Sequence, residues 1–216
     1  IGVRDCLPVA LKLEQLQCSG SFKARGAFAN LLSRQVPASG VIAASGGNHG
    51  VAVAYAAARL GVPAHIFVPT VSNPQKIERI GQLGADLVVK GDRYTDALAV
   101  ATEFASRSAA LSVHAYDQFE TIAGQGTIAI ELAEQVPNVN TVLVPVGGGG
   151  LIAGIAIGYL VARSSAPNRT QRQVDDLVAA LNGCAAVHHL APNVHPDEVT
   201  MGQAVIAACQ RAGVTR

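Results

Sequence analysis

The chain has 216 residues, half of them hydrophobic and 14% charged, with a formal net charge of +1. That supplies enough apolar material for one large or two small cores, and it carries no basic block of the kind that binds nucleic acid. No apolar run reaches the roughly 18 residues of a membrane span, and the start, Ile1-Gly2-Val3-Arg4-Asp5, does not read as a signal peptide. The scattered cysteines Cys6, Cys18, Cys184 and Cys209 form no C-x-x-C pair. They are expected to be small core residues in a reducing, cytoplasmic setting.

In chain order, residues 9–14 (VALKLE) predict a strand. Gly20-Ser21 then predicts a helix start with Ser21 as N-cap, and Ala27, Phe28, Leu31 and Leu32 give that helix an apolar face. Residues 40–44 predict a buried strand and 49–60 a helix stopped by Gly61-Val62-Pro63. A second strand at 64–68 is followed by a helix that Asn73-Pro74 opens and Gly84 ends. Residues 85–89, 94–107 and 111–114 predict strand, helix and strand. Strands that are apolar throughout and separated by helices imply a parallel sheet covered on both faces, joined by right-handed crossovers. Residues 122–136 predict a helix, 141–146 (TVLVPV) a strong strand and 151–161 a further helix.

The expected fold is therefore α/β, with two parallel-sheet units, the smaller inserted in the larger. Residues 1–38 and 115–162 form the larger unit, 39–114 the smaller, and 163–216 a divergent, mostly helical tail. The cleft between two such units, at the carboxyl ends of strands, is where a ligand is expected.

Three motifs carry chemistry. Lys23 lies in a helix first turn, where the positive end of the helix dipole favours a neutral amine, the form a carbonyl-trapping lysine needs. Gly147, Gly148, Gly149 and Gly150 join a strand to a helix and offer a nest of backbone N–H groups suited to phosphate. Four glycines are more than a tight turn requires. Ser45-Gly46-Gly47-Asn48-His49-Gly50 joins another strand to a helix. There Asn48 either caps the helix or, with Ser45, holds a carboxylate or phenolic oxygen. His65 and His114 are expected to be packed side chains, Tyr116 a cleft wall, and Arg25 to face solvent.

The stretches G-S-F-K-A-R-G-A at 20–27, S-G-G-N-H-G at 45–50, A-G-Q-G-T at 123–127 and V-G-G-G-G-L at 146–151 together resemble the serine/threonine dehydratase family. These are fold-type II pyridoxal-phosphate enzymes that include the serine racemase-like members. The resemblance runs from about residue 7 to about residue 162, with the motifs in matching order. It implies that Lys23 holds pyridoxal 5'-phosphate as an internal Schiff base and later removes the substrate's α-proton. It implies that Phe22 packs on the pyridine ring and Asn48 bonds its 3′-oxygen. Gly147 to Gly150, with Leu151, would cradle the phosphate, and Ser45, Asn48 and His49 would receive the substrate carboxylate. Gly124 to Thr127 would line the cleft less directly.

The implied reaction is β-elimination from a small hydroxy amino acid such as L-threonine or L-serine, giving a 2-oxo acid and ammonia. The implied assembly is a homodimer or tetramer, with no metal site. Racemase-like members carry a serine where this chain has Gly46, so the resemblance favours elimination over racemisation. The family continues well past the glycine loop with strands and a pyridine-nitrogen partner that this chain does not show, so the large unit reads as incomplete. Other readings stand beside the lyase: a serine racemase-like enzyme, a catalytically inactive remnant, and a zinc module built from Cys184, His188, His189 and His195. A nicotinamide oxidoreductase would use the glycine loop but leave Lys23 and Asn48 without a role.

Overall fold

The computed structural model describes residues 9–164. Four strands, β1 (Val41–Ala44), β2 (Ala64–Val68), β3 (Asp86–Val89) and β4 (Leu111–Ser112), form a parallel sheet in the order β3-β2-β1-β4. Val41 stands opposite Ala64 on one side and Leu111 on the other, and His65 stands opposite Asp86. Six α-helices accompany them: α1 (Lys23–Ser33), α2 (Asn48–Leu60), α3 (Pro74–Gln82), α4 (Tyr94–Ser108), α5 (Phe119–Gln135) and α6 (Gly150–Ser164). The architecture is α/β with a parallel sheet, as the alternation of apolar strands and helices implied.

The two-residue period of a strand explains how β1 serves two cores at once. Val41 and Ala43 pack with Ile66, Val68 and Val113 under α1, α2 and Ile80 of α3. Ile42 and Ala44 point the other way and join Phe67, Ala97 and Ala101 beneath α4. Every β1 residue is buried because both faces are covered. Helix α2 buries Val51, Ala52, Val53, Ala54, Ala56 and Ala57, and this small-residue surface lets it lie close on the sheet. Asn73 caps α3 as expected, accepting from the Gln75 N–H at 2.9 Å with Pro74 at the first helical position.

Helices α1, α5 and α6 pack through glycines. A Cβ on Gly124 would overlap the Arg25 carbonyl oxygen, and one on Gly126 would lie 2.8 Å from the Gly154 carbonyl oxygen. A Cβ on Gly158 would overlap the Gly126 carbonyl oxygen. Gly124 and Gly126 therefore set the helix contacts. The buried Asn30 amide ties α1 to α5, donating to Thr121 Oγ1 at 2.9 Å.

Several expectations are corrected. Residues 9–13 have no regular structure and run into a 3-10 turn at Glu14–Leu16, and residues 141–146 are irregular. Val9, Leu11 and Leu143 are exposed, Leu143 at 93%. A strand forms only beside a neighbour that pairs its N–H and C=O groups, and among the described residues neither segment has one. Leu32 is exposed and only Ala27 and Leu31 of its expected face are fully buried. Cys18 is exposed rather than in the core, while Cys6, Cys184 and Cys209 lie outside the described residues.

Arg25 does not face solvent. Its guanidinium is held between two carboxylates, by Glu14 at 2.8 and 2.9 Å and by Glu131 at 2.6 and 2.8 Å, with Thr127 Oγ1 at 2.8 Å. All five donors of the fork are used. Lys12 pairs with the same Glu131, whose carboxyl is pulled down to about 2, chiefly by the Arg25 hydrogen bond. This network joins the 9–16 segment to α1 and α5.

The close α5–α6 approach gives a stability test. Gly158→Ala is expected to cost about 1–3 kcal/mol, read as a lower urea midpoint. The matched Gly81→Ala in α3, where nothing lies within 4 Å of the added Cβ, should leave the midpoint unchanged or raise it slightly. Equal midpoints for the two variants would contradict the backbone contact.

Candidate active site

Lys23 is the first residue of α1, as the sequence indicated, but Ser21 does not cap the helix. Phe22 occupies the N-cap position with helical dihedrals, and the Ser21 hydroxyl is buried without a hydrogen-bond partner among the described residues. The half-buried Lys23 amine donates to the Ala115 carbonyl at 2.6 Å and lies 5.1 Å from the centre of the Phe22 ring. Burial lowers its pKa below the ordinary lysine value, the same direction as the helix dipole.

The partner carbonyl belongs to the segment that leaves β4. The last ladder bond there runs from the Val113 N–H to the Ile42 carbonyl at 2.9 Å. Past it, the chain turns toward α5 and its carbonyls accept side chains. The Val113 carbonyl accepts from His49 Nε2 at 2.9 Å, and the His114 carbonyl accepts from Thr121 Oγ1 at 2.9 Å. The Tyr116 ring closes over the glycine loop: a Cβ on Gly148 would come within 2.7 Å of it, and one on Gly150 within 2.5 Å of its carbonyl oxygen. Residues 113–116 thus touch Lys23, His49 and the 147–150 loop together.

The two histidines are held neutral. His49 is buried and its pKa falls to about 4, first through desolvation and further through the Lys23 charge. With Nε2 as donor to Val113, its Nδ1 is the unprotonated nitrogen. His114 Nδ1 accepts the Asp117 N–H at 2.9 Å, which places its proton on Nε2. Burial lowers the His114 pKa as well. His65, expected to be packed, stands beside Asp86 at 3.0 Å and against the Phe104 ring.

In the 45–50 loop the helix cap is Gly47, so Asn48 is the first residue of α2 rather than its cap. The Asn48 side chain is exposed and makes no hydrogen bond among the described residues. The Ser45 hydroxyl accepts the Gly47 N–H at 3.1 Å. The 147–150 loop lacks the preceding strand expected of it, yet it still opens α6. Gly149 adopts φ 78°, a left-handed conformation that favours glycine, and Gly150 begins the helix, with Leu151 half-buried behind it. A Cβ on Gly147 would meet nothing within 4 Å. The Gly150 N–H turns back onto the Gly148 carbonyl at 3.0 Å, while the N–H groups of Gly147, Gly148 and Gly149 have no acceptor among the described residues and fit a phosphate at this helix N-terminus.

Sequence reasoning missed the importance of 113–116. Ala115 has no chemistry in its side chain; its function lies in its carbonyl, which no motif encodes. Among the described residues no group of His, Cys, Asp and Glu is placed to hold a metal, and no helix is long and apolar enough to cross a membrane. Cys184, His188, His189 and His195 lie outside the described residues.

A lysine amine made less basic by burial, sharing one connecting segment with a glycine nest at a helix end, is the equipment of an enzyme that traps a phosphorylated carbonyl cofactor. The chain belongs to the pyridoxal-phosphate dependent enzyme family, whose model matches residues 2–201. It is 45% identical over 152 residues to an L-threonine ammonia-lyase of Geobacter sulfurreducens and 42% identical over 151 residues to that of Thermotoga maritima. Each alignment covers 69% of this chain and 38% of the relative, so the chain spans well under half of their length. Among solved structures, maize serine racemase superposes with a TM-score of 0.67 at 35% identity, covering 70% of this chain and 47% of the other. Threonine deaminase isoform 2 of Solanum lycopersicum gives 0.66 at 38% identity, covering 70% and 45%.

The buried neutral His49 sets a pH dependence. Its value in the folded state is depressed from 6.5 to about 4, so the unfolded chain takes up more protons as pH falls through that window. Stability is therefore expected to be intact above pH 6.5 and to fall progressively toward pH 4. His49→Gln should flatten the curve of urea midpoint against pH over this range; an unchanged slope would contradict a neutral, buried His49.

Proposed function

We propose that this protein is a pyridoxal-phosphate dependent lyase that converts a small hydroxy amino acid such as L-threonine or L-serine, by β-elimination and hydrolysis, to a 2-oxo acid and ammonia. The observation that carries the reading is the Lys23 amine, half-buried, depressed in basicity and bonded to the Ala115 carbonyl beside the Tyr116-backed glycine loop. The names of the Geobacter and Thermotoga relatives support the substrate class.

In this reading Gly147, Gly148, Gly149, Gly150 and Leu151 hold the cofactor phosphate, Phe22 packs beside its ring and Asn48 bonds its ring oxygen. When bound, pyridoxal phosphate supplies the electron sink for charge that develops at the substrate α-carbon. The chain's residues do the rest. Ser45, Asn48 and the backbone N–H of His49 in the first turn of α2 receive the substrate carboxylate, which orients the α-carbon toward Lys23. The neutral Lys23 amine takes the α-proton as general base, and the β-hydroxyl departs with a proton as water. The enamine set free takes a proton at its β-carbon to become an imine, and water, equal to the molecule lost, hydrolyses that imine to ammonia and the 2-oxo acid. His49 cannot compete for the α-proton near neutrality, because its folded value lies at about 4.

The same reading takes residues 39–114 as a smaller domain inserted between 1–38 and 115–162, in a cytoplasmic homodimer or tetramer. Lys23→Ala is expected to lower 2-oxo acid formation from L-threonine by at least about 100-fold. Measured alongside, Lys23→Ala should keep a cooperative urea transition, with a loss of no more than about 1–3 kcal/mol for the Ala115 carbonyl left without its donor. Wild-type turnover by the Lys23→Ala chain would overturn the assignment.

A further inference from the structure

We propose that Ser72, on the loop between β2 and α3, is a further residue of the amino-acid site, donating its hydroxyl to the carboxylate of the bound amino acid. The inference rests on the functional reading above and adds a residue that none of the four motifs contains.

The geometry comes from Gly46. A Cβ built there would overlap both Oγ and Cβ of Ser72, and would lie 3.5 Å from Val68 Cβ. The space a side chain at 46 would fill is already taken by the Ser72 side chain. β1 and β2 are adjacent in the sheet, so the loops at their carboxyl ends lie side by side. The hydroxyl that Gly46 lacks is thus delivered to the 45–48 loop from the neighbouring connection.

The Ser72 loop is pinned at both ends. The Ser72 N–H donates to the Pro69 carbonyl at 3.0 Å, and the Thr70 N–H to the Gly91 carbonyl at 2.8 Å. Thr70 Oγ1 donates to Asp92 at 2.9 Å, and Asn73 caps α3 one residue later. A side chain held this way keeps its position without a hydrogen bond of its own, and the half-buried Ser72 hydroxyl has none among the described residues. The Ser45 hydroxyl accepts the Gly47 N–H and keeps its own O–H free to donate, so Ser45 and Ser72 can offer two donors to one carboxylate. The Ser72 O–H suits an anionic carboxylate, since hydrogen bonds to charged groups are the stronger ones.

Two experiments on the full chain test this. The first needs no cofactor: Gly46→Ala should lower the thermal midpoint, and adding Ser72→Gly should restore most of the loss. Failure of the second change to rescue the first would overturn the shared volume and the proposal with it. The second loads the chain with pyridoxal phosphate and titrates it spectroscopically with L-alanine, which has the carboxylate but no β-hydroxyl to lose. Ser72→Ala should weaken L-alanine binding about 10-fold or more while cofactor uptake stays at the wild-type level.

Unchanged L-alanine binding, or loss of cofactor uptake in Ser72→Ala, would overturn the proposal alone. A wild-type chain that takes up no cofactor would overturn the functional reading and this proposal together. The melts, which need no ligand, separate that case from a wrong placement of Ser72.

Discussion

The candidate site depends on one short stretch of backbone leaving an edge strand. β4 pairs with β1 over only Leu111 and Ser112, and after the Val113 N–H makes the last ladder bond the chain departs. Two carbonyls freed in this way then bind the two most unusual side chains of the site, His49 at Val113 and Lys23 at Ala115. A longer β4 would have bound those carbonyls into the sheet and left Lys23 without its acceptor. Because every buried carbonyl needs a donor, the truncated strand and the placed lysine are two sides of one constraint.

Packing holds that segment still. Thr121, at the start of α5, accepts from Asn30 of α1 and donates to the His114 carbonyl, so the helix carrying Lys23 and the segment receiving its amine share a fixed point. The Arg25 network secures the other side of the same first turn. Glycines at 124, 126, 154 and 158 bring α1, α5 and α6 into backbone contact, which seats the start of α6, and with it the glycine loop, against Tyr116. Precise placement of the site therefore comes from helix packing outside the four-stranded sheet as much as from the sheet.

What was legible in the sequence follows how local each signal is. The strands and helices between residues 40 and 108 were readable because each carries its own apolar run and its own stop, such as Gly61 or Asn73-Pro74. The stretches 9–14 and 141–146 carry equally strong strand patterns, yet form no strand, because pairing depends on a neighbour and not on the segment itself. Lys23, His49 and the glycine loop were legible as residue types suited to a chemistry. Their meeting at 113–116 was not, since it rests on carbonyls and on contacts separated by 92 and 64 positions. Arg25 was misread for the same reason: Glu131 lies 106 positions away. Ser72 belongs to no motif, and its place became visible only through the space missing above Gly46.

The most direct measurement of the central claim is to incubate the purified chain with pyridoxal phosphate, reduce it with borohydride, digest it and locate the pyridoxyl group by mass spectrometry. The account predicts one dominant modified position, Lys23, because burial makes its amine the readier nucleophile among the lysines of the chain. Modification of the half-buried Lys76 or the exposed Lys90 at levels equal to or above Lys23 would contradict it.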